Sequence, residues 1–78
     1  MQNHFEQIEI KLVNKLYKIF IEKYDGNKSK FAKASKCSET TVRRVFSSKQ
    51  RMTLDLFLRF CYALEINVQQ IFNDIENE

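Results

Sequence analysis

The sequence predicts an all-α fold of five helices, on three observations. Apolar residues recur at three- and four-residue steps along most of the chain, the spacing that lines one face of a helix. The 78 residues include a single glycine, Gly26, and no proline, which favours helices with short connections over a strand-and-turn fold. Asn27, Ser38, Thr53 and Asn67 each stand just ahead of an apolar-periodic segment, and all are residue types that cap the free N–H groups of a helix start. A chain of this length encloses one small core, so residues 1–78 are read as a single domain.

The first segment is the longest. Phe5, Ile8, Leu12, Leu16, Phe20 and Tyr24 form one stripe of a helix expected from about Asn3 to Tyr24, with a second stripe of Ile10, Val13, Tyr17 and Ile21 beside it. So wide an apolar arc means either a deeply buried helix or a surface around Ile10 and Ile21 that is left for self-association. Asp25 and Gly26 end the helix, Gly being free to adopt the left-handed conformation that follows a last turn.

Asn27 then caps a second helix, Lys28 to about Ser35, with Phe31 and Ala32 facing inward and Lys28, Lys30 and Lys33 outward. Lys36 and Cys37 make a turn, and Ser38 caps a third helix with Glu39 in its first turn, where a negative charge suits the helix dipole. On that helix Val42, Val45 and Phe46 share one side, so Thr40, Arg43, Arg44 and Ser47 show on the other. Thr53 caps the fourth helix. Leu54, Phe57, Leu58, Phe60, Cys61 and Leu64 are its expected core residues, whereas Leu56 and Tyr62 fall where polar residues are expected. Asn67 caps the last helix, with Gln70 as a capping-box partner, and Val68, Ile71, Phe72 and Ile75 make a stripe before the acidic residues Asp74, Glu76 and Glu78.

Charge is segregated along this framework. Between Lys28 and Arg51 there are eight basic residues and one acid, Glu39, a local balance of +7; the rest of the chain holds five basic and nine acidic residues, or −4. Such clustering is what a polyanion-facing surface requires, because each Lys or Arg near a phosphate releases condensed counterions. A short helix that buries two valines and a phenylalanine while displaying two arginines and a threonine is shaped for a groove.

The run from Asn27 through Phe72 resembles the Cro and phage-repressor-like helix-turn-helix family, the xenobiotic-response-element (XRE) class. Ala32 sits at the family's small position in the second helix, Cys37 replaces a buried aliphatic just after the turn, and Ser38 matches the capping position. Val42 and Val45 match the inward aliphatics of the recognition helix, while Thr53-Leu54 through Ala63-Leu64, Ile66 and Ile71-Phe72 match the two helices that follow. The chain departs from the pattern where Lys36 replaces the usual turn glycine, where Phe46-Ser47-Ser48 replaces Glu-x-Gly, and in its longer first helix.

The resemblance implies a lambda-repressor-like DNA-binding domain, with its helix-turn-helix at about 27–48 and an extended first helix. It also implies a transcriptional regulator that binds a palindromic operator in double-stranded DNA as a homodimer, with the third helix in the major groove. Glu39, Thr40, Arg43 and Arg44 are then the candidates for base contact, Arg44 first, since an arginine pairs bidentately with guanine. Asn27, Lys28, Ser38, Ser47, Lys49 and Arg51 are candidates for phosphate contact, helped at Asn27 and Lys28 by the free N–H groups of a helix start. Leu56, Tyr62, Val68, Ile71, Phe72 and Ile75 are candidates for the dimer interface, the alternative being that the stripe on the last helix closes the monomer core.

Other functions find little support in the sequence. Its one histidine, His4, and the absence of a glycine-rich phosphate loop leave no nucleophile–base pair, so no enzymatic activity is expected. Cys37 and Cys61 lack a CxxC partner and read as small core residues, so neither a metal nor another cofactor is expected. No apolar run approaches the roughly 18 residues that span a bilayer, and the start MQNHFEQIE is too polar for a signal peptide, so a cytoplasmic protein is expected. Two alternatives share the fold: a protein-binding antitoxin or anti-repressor that uses the apolar surplus of the first helix, and sequence-neutral or RNA binding through the basic face.

Overall fold

The computed structural model describes residues 4–77. Five helices follow in order: α1 His4–Tyr24, α2 Lys28–Ser35, α3 Glu39–Phe46, α4 Leu54–Leu64 and α5 Val68–Glu76. The expected first residue of α1, Asn3, lies outside the described residues. Each of the other four helices starts at its expected cap. The side chains of Asn27, Ser38, Thr53 and Asn67 accept hydrogen bonds from backbone N–H groups two or three residues ahead. Gln70 does not close a capping box; its amide turns forward and donates to Asp74 at 3.0 Å.

The core is built on phenylalanines. Phe20 of α1, Phe31 of α2, Phe46 of α3 and Phe60 of α4 meet with ring centroids 4.9–5.9 Å apart, in tilted, stacked and edge-on pairs. Tyr24 extends the group by packing on Phe31, and its hydroxyl donates to the Ala63 carbonyl at 2.8 Å, which ties the end of α1 to the end of α4. Lys23 donates to the neighbouring Leu64 carbonyl. Leu12, Leu16, Val42, Val45, Leu64, Ile71 and Ile75 fill in around the rings. Cys61 is buried as expected, and burial pushes its thiol up to about 11, so it stays protonated. Cys37 is half-buried against the same core.

The hydrophobic pattern misplaces several side chains. Phe5 is 76% exposed, because the first turns of α1 run beyond the body that its middle packs against. On α4 the buried arc is Leu56, Phe57, Phe60, Cys61, Ala63 and Leu64, whereas Leu54 and Leu58 face solvent. The helix is rotated from the expected face because α1, α2 and α5 pack on it from several sides. Leu56 is consequently a core residue. Ile71 and Ile75 are core residues too, since α5 lies against α1 with Asp74 reaching Lys15 at 3.9 Å.

Three helices end alike, at non-glycine residues in the left-handed conformation: Lys36 (φ 58°), Ser48 (φ 61°) and Glu65 (φ 57°). In each case two backbone N–H groups turn back onto the last carbonyls of the helix, as at Cys37 to Ala32 (3.0 Å), Lys49 to Arg44 (2.9 Å) and Ile66 to Cys61 (3.1 Å). A side chain in this conformation costs about 1 kcal/mol relative to glycine. Glu65→Gly, far in sequence from the basic segment, is therefore expected to stabilise the fold by about 1 kcal/mol in equilibrium urea denaturation. An unchanged or lower midpoint would show that the left-handed residue carries no strain.

Candidate nucleic-acid interface

The helix-turn-helix is formed by α2, the Lys36–Cys37 turn and α3. Ser38 caps α3, its hydroxyl accepting from the Thr41 N–H at 3.0 Å and lying 2.9 Å from the Thr41 hydroxyl. Val42 and Val45 are fully buried, and Phe46 joins the ring cluster, so the inner side of α3 is fixed by apolar contact. Thr40, Arg43, Arg44 and Ser47 are all exposed, within an arc of about 100° on the opposite side. The structure thus brings together, on one short helix and its C-cap Ser47, every residue that the pattern assigned to its outer face.

Those residues are not equivalent. Arg43 donates to Glu39 at 3.0 Å one turn back, which makes the two a single unit. Arg44 has no ion-pair partner among the described residues and leaves its whole guanidinium available. Ser47 is exposed, and its hydroxyl donates to the Arg44 carbonyl at 3.3 Å. At the start of α2, Asn27 accepts from the Lys30 N–H at 3.0 Å; Lys28 is half-buried beside it, while Lys30 and Lys33 are exposed. Lys49 is exposed in the loop after α3.

Arg51 differs from the expectation of a free loop cation. Its Nε and Nη2 donate to Glu9 of α1 at 3.1 and 2.5 Å, and the Met52 N–H donates to the second oxygen of the same carboxylate at 3.3 Å. The loop is thereby latched to α1 through a half-buried acid to which the sequence reading gave no role. A contact across 42 residues leaves no periodic signal to find. The guanidinium holds the Glu9 carboxyl below its ordinary 4.5, with the Met52 bond helping and burial opposing.

Residues 13–77, from midway along α1 to the end of α5, match the model of the Cro/C1-type helix-turn-helix DNA-binding domain. The chain belongs to that family. No curated protein and no solved structure matches it. A Cro/C1-type domain is a DNA-binding module, which supports DNA as a partner of this chain, and the expected five-helix all-α architecture is the one found. Among the described residues no helix is long and apolar enough to cross a membrane.

The Glu9 latch makes stability depend on acid. Because the folded value lies below the ordinary one, the contribution is fully present above about pH 4.5 and is lost as pH falls through the folded value. Glu9→Gln is thus expected to be less stable than the native chain at pH 7, with the gap closing below pH 4 as measured by urea denaturation at each pH. A gap that stayed constant down to about pH 2 would remove the latch as its cause.

Proposed function

We propose that this Cro/C1-type domain is a sequence-specific transcriptional regulator, a repressor by its family pattern. It acts in the cytoplasm as a single domain, without catalysis or cofactor, and reads a palindromic operator as a homodimer with α3 in the major groove. One observation supports this best: Arg44 stands exposed and unpaired on the side of α3 opposite two fully buried valines. In this reading Arg44 takes guanine O6 and N7, Thr40 meets a thymine methyl, and the Glu39–Arg43 unit lies across the neighbouring base edges and backbone. Asn27, Lys28, Ser38, Ser47, Lys49 and Arg51 hold phosphates, Arg51 through the donors that Glu9 leaves open.

Dimerisation serves specificity, because one such module contacts too few base pairs. Of the six candidates for the interface, Leu56, Ile71 and Ile75 have the least support, being buried in the monomer core. Tyr62, Val68 and Phe72 remain, Tyr62 being 72% exposed, and the solvent-facing Leu54 and Leu58 share its side of α4. The alternative of a protein partner held on α1 would use Ile10, Tyr17 and Ile21, which are 38–40% exposed there, much as Val68 and Phe72 are on α5.

Selection from a random duplex pool is expected to return a two-fold-symmetric site. On that site Arg44→Ala costs roughly 1–3 kcal/mol and relaxes one position, whereas Lys28→Ala weakens all duplexes alike and lowers the salt slope by about one. A pool that yields no preferred sequence speaks for sequence-neutral binding. Sedimentation at micromolar concentration should give a dimer on the operator and a monomer for Tyr62→Glu; monomer only, with and without DNA, removes the homodimer.

A further inference from the structure

The turn between α2 and α3 sets the angle at which α3 is presented, and it is also where this chain replaces the expected glycine with Lys36. The Lys36 and Cys37 N–H groups satisfy the end of α2, returning to Lys33 at 3.2 Å and Ala32 at 3.0 Å. The Lys36 carbonyl points instead to α4, where it accepts from Arg59 Nη1 at 2.7 Å. Arg59 is itself held by Asp55, one turn back, with Nε donating at 2.8 Å. Both contacts use different edges of one planar guanidinium, which an ammonium cannot reproduce.

The other end of this linkage is rigid. Asp55 and Arg59 belong to α4, whose Phe57, Phe60 and Leu64 lie in the core. The Asp55–Arg59–Lys36 relay therefore runs from the most deeply packed short helix to the peptide that precedes the cap of α3. A hollow of about 380 Å³, lined by Ser35, Lys36, Asp55, Leu58, Arg59 and Tyr62, borders the relay. An i, i+4 ion pair alone would be an ordinary surface feature of little consequence. The second contact, to a strained turn peptide 23 residues away, is what such a pair does not need.

We propose that Arg59, oriented by Asp55, is a positioning residue for DNA recognition: it fixes the Lys36 turn in its left-handed form, and so the approach of α3, without touching DNA. This rests on the reading of α3 as the helix in the groove. Loss of the brace lets the turn sample other conformations, which lowers affinity where contacts depend on angle and leaves nonspecific phosphate attraction nearly intact.

The test compares the full chain with Arg59→Gln, Arg59→Lys and Asp55→Asn on the selected operator and on random duplex DNA, well below each protein's melting temperature. Arg59→Gln is expected to lower operator affinity about fivefold and random-duplex affinity about twofold or less. Arg59→Lys keeps the charge but not the fork, so it should reproduce the loss on the operator. Asp55→Asn should show a smaller loss in the same direction. The proposal is overturned if Arg59→Lys keeps the native operator-to-random ratio, or if Arg59→Gln weakens both duplexes equally, which would make Arg59 a phosphate contact. A native chain with no preferred site overturns this inference together with the function it rests on, whereas an operator indifferent to all three variants overturns the brace alone.

Discussion

The contact among Phe20, Phe31, Phe46 and Phe60 is the constraint on which the rest of this molecule depends. It draws one ring from each of α1, α2, α3 and α4, so no pair of these helices can shift without opening a gap in a common centre. Helices of eight residues such as α2 and α3 are too short to persist alone in water. Their conformation is supplied by packing and by caps. Because Val42, Val45 and Phe46 supply the holding energy from one side, the other side of α3 is released from any structural duty and can carry polar residues chosen for a ligand.

Electrostatics divides along the same line. The basic excess lies between Lys28 and Arg51, while α1 contributes an acid, Glu9, that reaches out of its own helix to hold the loop after α3. A cation engaged by a carboxylate along one edge keeps donors on the other, so a latch of this kind orders Arg51 without using all of its donors. The Glu39–Arg43 pair has the same character on α3. By contrast the exposed Arg44 side chain is held by no ion pair among the described residues.

How much of this was legible in the sequence depended on the range of the interaction. Caps at Asn27, Ser38, Thr53 and Asn67 were readable because each acts within three residues. The two faces of α3 were readable because one periodicity separates its buried valines from its exposed arginines. Rotation of α4 was not, since Leu54 and Leu58 match a helical stripe as well as Leu56 and Ala63 do, and only the arrival of α1, α2 and α5 decides which set is covered. Leu56 is a core residue for this reason, whereas Ile71 and Ile75 are buried because α5 lies against α1. Glu9 and Arg59 were invisible because their partners lie 42 and 23 residues away.

The left-handed residues bring these threads together. Lys36, Ser48 and Glu65 end α2, α3 and α4 in a conformation that glycine adopts at less cost, and the first two bracket the helix assigned to the groove. A side chain tolerated in that conformation must be held there by its surroundings. At Lys36 the surroundings include the Arg59 guanidinium; at Ser48 the chain continues directly into the loop that Glu9 fixes through Arg51 and Met52. Both ends of α3 are thus restrained by side chains from outside the helix-turn-helix, one from α4 and one from α1. Ring packing sets the depth of α3 in the domain, and these two polar ties set its direction. The long first helix, more than a minimal domain of this family needs, supplies the second tie.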